Sequence, residues 1–294
     1  MVSVADPTDG ATIGKMSAKH GVSILFGTST FFRLYTRNKK LHPLMFQNVR
    51  IVIAGAEKLK PDVKDAFRLK FGLEIHEGYG TTETAPVAAV NVPNILEKDS
   101  LKELTFTKEG TVGLPLPGTI IKIVDPDTLN ELKTGEDGLI LIGGGQVMKG
   151  YLDDPEKTAE VIAELDGVRY YKTGDKGHID EHGFVTIVDR YSRFAKIGGE
   201  MISLGAVEAN LSQAIGEDAV FVATAVNDDK KGESVVLLVK SELTISEIQQ
   251  RIKALNIPPI MLPSEIFLVD EIPLLGSGKI DFKRAKLLAT ELIN

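Results

Sequence analysis

The chain has no cysteine among its 294 residues. That absence removes disulfide scaffolds, thiolate metal sites and cysteine nucleophiles, and it is compatible with a reducing cytoplasm. No uninterrupted apolar stretch approaches the roughly 20 residues of a membrane span. The opening segment Met1-Val-Ser-Val-Ala-Asp-Pro7 lacks the basic-then-apolar order of a secretory signal. Long low-complexity tracts are missing too, and 43% hydrophobic with 26% charged residues is the composition of an ordinary globular protein, long enough for more than one domain. Positive charge is in deficit: the net charge of −7 argues against a nucleic-acid partner. Local basic clusters, Arg37 to Lys40 and Lys283 to Lys286, each read as solvated surface when taken singly.

What is present changes character twice along the chain. From about residue 20 to 95, the apolar runs Gly21 to Phe26 and Val49 to Ala54 alternate with a helical stretch near Pro61 to Phe71, the pattern of parallel strands with crossover helices. From about 105 to 189 strand and turn signals dominate: Thr119 to Val124, a turn at Gly135-Glu-Asp-Gly138, Gly138 to Ile142, and Phe184 to Val188. These predict a small, mostly antiparallel sheet or barrel. Beyond residue 190, Leu204, Val207, Leu211 and Ile215 share one face of a helix from about 204 to 215, with Ser203 as cap and Gly216 as terminator. Two β-rich runs follow, Ala219 to Val226 and Ser234 to Val239, and Thr244-Ile-Ser-Glu247 has the spacing of a capping box. This closing segment reads as a compact α+β domain.

One short segment concentrates chemistry. Gly78-Tyr79-Gly80-Thr81-Thr82-Glu83 joins an aromatic plate, two glycines, two hydroxyls and a carboxylate. A purine stacks on such a face, glycine lets the backbone approach a ligand closely, and a carboxylate is a hard ligand suited to magnesium. The same stretch also reads as a Gly-Tyr-Gly turn capped by threonine. Thr173-Gly174-Asp175 places a carboxylate after a tight turn, where it can accept from two sugar hydroxyls or simply face solvent. Arg190 offers a guanidinium for ribose and phosphate oxygens, or a surface ion pair with Asp189. Gly276-Ser-Gly278-Lys279 mounts a lysine on a flexible loop, suited to delivering a cation to a phosphoryl site.

Taken in order, these segments, with Gly143-Gly-Gly145, Gly150-Tyr151-Leu152 and Lys196-Ile-Gly-Gly-Glu200, resemble the adenylate-forming (AMP-binding) superfamily of acyl-CoA synthetases, peptide-synthetase adenylation domains and luciferases. The resemblance covers nearly the whole chain. Phe26 to Phe32, Ala54 to Leu59, Glu77 to Gly80, Arg193 to Ile197 and Pro273 to Lys279 look most like the acyl-acyl-carrier-protein synthetase module of bifunctional lysophospholipid acylation enzymes, in which the module is fused to an acyltransferase and in some cases to a membrane transporter. The fold implied is α/β plus α+β: the distal part of the large AMP-binding domain over 1–189, with its β-rich subdomain over 105–189, then a mobile C-terminal domain over 190–294.

The resemblance also implies roles. A fatty acid is activated by ATP as acyl-adenylate and passed to the pantetheine thiol of acyl carrier protein or of coenzyme A, with Mg2+ as cofactor. Tyr79 stacks on adenine between Gly78 and Gly80; Gly55, Ala56 and Glu57 line the nucleotide and acyl pocket; Thr82 contacts the α-phosphate and Glu83 holds magnesium. Asp175 binds the ribose, Arg190 supports ribose or phosphate, and Lys279 neutralises charge in the first step. Phe31 and Phe32 wall the acyl channel or, as adjacent aromatics more often do, simply fill the core. Ser192 stands at the hinge position, where Asp or Lys is usual. Gly199 leaves room for pantetheine, and Arg193, Lys196, Lys283 and Arg284 are docking residues for an acidic carrier.

Two family features have no counterpart. No Ser/Thr/Gly-rich phosphate loop ending in lysine lies upstream of Phe31, so the chain is expected to be a distal part of a longer polypeptide, inactive alone. None of His20, His42, His76, His178 or His182 has Asp five residues later, so the acyltransferase signature is missing. The expected location is cytoplasmic, with the parent protein at the inner face of the cell membrane. An AMP-forming acyl-CoA ligase and an incomplete adenylate- or carrier-binding module stand as alternatives.

Overall fold

The structure, a computed structural model, describes residues 1–216, 219–228, 230–275 and 279–293. The chain divides into two compact units, Met1–Ile187 and Val188–Asn294.

The first unit opens with α1 (Gly10–His20), β1 (Ile24–Gly27), α2 (Ser29–Arg37), β2 (Ile51–Ala54), α3 (Pro61–Phe71) and β3 (Ile75–Tyr79). Strands β1, β2 and β3 pair in parallel. The crossover α3 begins on a proline, whose fixed φ suits the first helical turn, and ends on Gly72 in the left-handed conformation. Two short strands, β4 (Ala89–Val90) and β7 (Leu114–Pro115), extend the sheet beyond β3 in antiparallel sense, in the order β1-β2-β3-β4-β7; between them β5 (Ile95–Leu96) and β6 (Glu103–Leu104) form a separate hairpin. The helices and the sheet bury an aromatic core: Phe32 meets Phe67 edge-on at 5.1 Å and Phe67 meets Phe71 at 4.6 Å. Phe32 is 0% exposed, so the expectation that it walls an acyl channel is corrected. Its ring fills the core under α2, while Phe31 is only half-buried.

The β-rich subdomain contains β8 (Thr119–Val124), β9 (Gly138–Gly144), α4 (Pro155–Val161), β10 (Ile162–Leu165), β11 (Val168–Ile179) and β12 (Val185–Arg190), with strand order β10-β11-β9-β8 and β12 beside β11. Ile140 and Ile142 of β9 and Ile123 of β8 are buried with Ala88, and Tyr79 packs against them. The end of β3 is thereby joined to this second sheet.

The second unit holds β13 (Phe194–Ile197), β14 (Glu200–Ser203), α5 (Leu204–Ile215), β15 (Val220–Asp228), β16 (Gly232–Lys240), α6 (Ile245–Lys253), β17 (Glu265–Leu268) and α7 (Phe282–Ile293). Strands β15 and β16 read as continuous apolar runs because both sheet faces are covered. Alternation sends Ala223, Ala225, Val235 and Leu237 to α5 and α6, and Val222, Val226, Val236 and Leu238 to α7. Ser203 caps α5 through Ala206, and the Thr244–Glu247 capping box opens α6.

Candidate functional site

In an open α/β sheet, ligands bind beyond the carboxyl ends of the parallel strands. Two predicted segments lie there. Gly55, Ala56 and Glu57 follow β2; Ala56 takes a left-handed φ of 70°, and the Glu57 carboxylate accepts from the Thr30 amide at 2.6 Å, at the start of α2. Gly78 and Tyr79 end β3, and Gly80 turns the chain away. A Cβ at Gly80 would lie 2.0 Å from the Pro86 carbonyl oxygen, so only glycine fits. Thr81 and Thr84 then cap the single 3-10 turn Thr82–Thr84, which sets Thr82 exposed and Glu83 half-buried.

Asp175 reaches this place from 96 residues away. It lies inside β11 rather than after a tight turn, and it is 4% exposed rather than solvent-facing. The pairing of β11 with β9 slips between Lys172 and Lys176, and Gly174 takes a φ of 73°, a bulge that turns the carboxylate inward. The Tyr79 hydroxyl donates to Asp175 Oδ2 at 2.6 Å. The aromatic plate and the carboxylate that separate segments contributed are therefore bonded neighbours.

A second pairing was not foreseen. The segment after β9 returns to the 3-10 turn: the Met148 amide donates to the Glu83 carbonyl at 2.8 Å, and the Tyr151 hydroxyl donates to Glu83 Oε1 at 2.7 Å. Tyr171, on β11, is buried and acts electrostatically on both Tyr151 and Glu83. Burial pushes the Glu83 carboxyl upward, but bonds from Tyr151, its own backbone, Thr81 and Tyr171 outweigh it and leave the carboxyl below its usual value. Both phenols are raised, foremost by burial, then by the nearby Glu83. Tyr151 stood in a quoted motif without a role, and Tyr171 had no signal beyond sitting four residues before Asp175 on the same strand.

The second unit places the remaining candidates. Asp189, beside Arg190, accepts from Ser203 Oγ at 2.6 Å and the Gly205 amide at 2.8 Å. Ser192 sits in the 3-10 turn Tyr191–Arg193. Arg193 is corrected as a docking residue: its side chain is 11% exposed, bonds Glu208 at 2.7 Å and lies 4.0 Å over the Phe282 ring. Lys196, Lys283 and Arg284 are exposed. Gly199 has a φ of 91°, and nothing lies within 4 Å of a Cβ built there. Lys279 is exposed, and its carbonyl accepts from the Leu275 amide at 2.7 Å. The loop residues before it, 276–278, lie outside the described residues.

Among the described residues no cluster of three or more His, Cys, Asp or Glu can hold a metal by itself. No helix among the described residues is long and apolar enough to cross a membrane.

The AMP-binding enzyme family matches residues 1–152, and the AMP-binding enzyme C-terminal domain matches residues 207–279. A 4-coumarate–CoA ligase of Vanilla planifolia is 37% identical over 253 residues, covering 83% of this chain and 44% of the ligase. A long-chain-fatty-acid–CoA ligase of Salmonella typhimurium is 30% identical over 279 residues, covering 94% and 47%. The chain spans about half the length of the curated relatives it matches. Among solved structures, ATP-bound MatB from Rhodopseudomonas palustris superposes with a TM-score of 0.79 at 25% identity, over 97% of this chain and 54% of that one. The AMP complex of an O-succinylbenzoate coenzyme A synthetase from Bacillus subtilis gives 0.74 at 24%, over 95% and 53%, a likeness of fold alone.

Proposed function

Because the chain belongs to the AMP-binding enzyme family and has the adenylate-forming fold, we propose that it carries the adenosine and cation half of an acid–thiol ligase that activates a long-chain fatty acid and delivers it to the pantetheine thiol of acyl carrier protein. The observation that carries the reading is the bonded pair Tyr79 and Asp175 beside the hydroxyl-held Glu83. An aromatic face and a buried carboxylate at one strand end suit adenine and the ribose hydroxyls, and Glu83 suits the magnesium of a phosphate ligand. Magnesium, when bound, supplies charge neutralisation at the phosphates.

In the first half-reaction a carboxylate oxygen of the fatty acid attacks the α-phosphorus, its bond to pyrophosphate breaks, and acyl-adenylate forms. In the second, the thiol sulfur attacks the acyl carbon, AMP departs with the electron pair, and the thiol proton passes to solvent. Thr82 and Arg190 are assigned to phosphate and ribose oxygens, and Lys279 to the charge that develops between carboxylate and phosphate. Gly55, Ala56 and Glu57 form the adjoining wall by backbone. Ser192 is the proposed hinge; torsion there strains either the Asp189 bonds or the Arg193–Glu208 pair, which flank it. Gly199 supplies space for the pantetheine arm, and exposed Lys196, Lys283 and Arg284 suit an acidic carrier. In the whole protein this module serves phospholipid reacylation beside a fused acyltransferase at the inner face of the membrane.

Calorimetric titration of the chain with a non-hydrolysable acyl-adenylate tests the adenosine site. Saturable binding weakened by Asp175→Ala supports it, and no binding by folded protein removes it. A second reading, coenzyme A as the acceptor, is favoured by the names of the relatives, which are CoA ligases. Titration with holo carrier protein separates the two: the carrier reading requires binding that Lys283→Glu with Arg284→Glu weakens and coenzyme A does not compete away.

A further inference from the structure

Glu83 is the proposed cation ligand, yet the side chain that holds it comes from the segment after β9, a strand of the second sheet. Tyr151 follows β9 by seven residues, and its hydroxyl donates to Glu83 Oε1 at 2.7 Å. The same connecting segment is pinned to the turn by the Met148 amide on the Glu83 carbonyl. Tyr151 is itself fixed on two sides: its amide donates to Thr158 Oγ1 at 2.9 Å, and the Lys157 ammonium lies 5.0 Å over its ring. Glycine at 150 permits this approach, because a Cβ there would stand 2.9 Å from Thr158 Cγ2.

A phenol donor differs from a cation in what it leaves behind. It occupies one lone pair of Oε1 and fixes the carboxylate plane without cancelling its charge, so Oε2 and the remaining lone pairs keep their full attraction for a divalent ion. A lysine or arginine in that place would compete with the ion for the same charge. A freely rotating Glu83 would instead lose side-chain entropy on each binding event.

We propose that Tyr151 is a positioning residue that pre-orients the Glu83 carboxylate toward a nucleotide-bound divalent cation. The proposal rests on the reading of Glu83 as the cation ligand. The test uses the whole 294-residue chain and its variants Tyr151→Phe, Glu83→Gln and the pair Tyr151→Phe with Glu83→Gln. Binding of AMP is measured by calorimetry in EDTA, and binding of ATP is measured with and without Mn2+.

The expected result is that Mn2+ tightens ATP binding to the unsubstituted chain. Tyr151→Phe is expected to cut that tightening by about tenfold, the worth of one hydrogen bond to a charged group, while AMP affinity in EDTA stays the same. Glu83→Gln abolishes the tightening, and adding Tyr151→Phe to it costs nothing more. Full Mn2+ enhancement in Tyr151→Phe overturns the proposal. Equal losses of AMP and ATP affinity also overturn it, since they indicate a merely structural tyrosine. AMP binding without any Mn2+ effect in the unsubstituted chain removes the cation role and the proposal together, and absence of AMP binding overturns the nucleotide-site reading itself.

Discussion

In the first unit, Glu83 is held by a tyrosine hydroxyl; in the second, Glu208 is held by the guanidinium of Arg193. Both carboxylates are partly or wholly withdrawn from bulk water, so burial pushes against ionisation of each. The outcome differs. Hydroxyl bonds leave Glu83 below its usual value with its charge uncancelled, whereas Glu208 is raised by burial despite the pull of Arg193. A carboxylate fixed by neutral donors remains able to attract an ion. One fixed by a cation has spent that charge internally, and its role is to hold β15 against α5 through the Ala223 amide.

The largest effect expected from breaking this contrast is in the second unit. Arg193→Ala leaves Glu208 buried without its cation and is expected to lower stability by about 3–5 kcal/mol, read by urea denaturation. Arg193→Met with Glu208→Leu should recover most of that loss, because a buried pair is replaceable by apolar volume. In the first unit, Asp175→Ala is expected to weaken acyl-adenylate binding by about 10- to 100-fold, since a lost bond to a charged group is worth about 1.5–3 kcal/mol. At Tyr79 the comparison becomes finer. Tyr79→Ala should cost about 1–3 kcal/mol of AMP binding through lost stacking, whereas Tyr79→Phe keeps the ring and should cost about 1 kcal/mol of stability from the lost Asp175 bond; calorimetry and thermal melts distinguish the two.

The smallest effect concerns Glu77, whose carboxyl is raised from 4.5, foremost by burial. An acid raised on folding contributes stability that is present below its unfolded value and lost as pH rises through the folded one. Glu77→Gln is therefore expected to raise the melting temperature at pH 7 by a few degrees at most. The difference should vanish as pH falls below about 4.5. A difference that persists at low pH would show that packing, not ionisation, is responsible.

Much of the fold was legible because it is local. The α5 face of Leu204, Val207, Leu211 and Ile215, the Thr244 capping box and the apolar runs of β15 and β16 follow from spacing and from hydrogen-bonding capacity within a few residues. The site segments were legible as chemistry, though not as geometry. Asp175 read as a turn residue because Thr-Gly-Asp is a turn signal, and only the register slip of β11 on β9 makes it an inward-facing bulge. Phe32 read as a channel wall and Arg193 as a docking cation because adjacent aromatics and surface charge look alike in sequence wherever they end up.

By itself, then, the sequence determined which groups were available: an aromatic plate at Tyr79, carboxylates at Glu83 and Asp175, and a cysteine-free chain with two differently patterned halves. The tertiary structure decided which of those groups meet. Tyr79 finds Asp175 and Glu83 finds Tyr151 across separations of 96 and 68 residues, through the joining of two sheets at the end of β3. Propensity and periodicity act over a few residues, while such meetings depend on strand register and on the packing of whole layers, which no local pattern encodes.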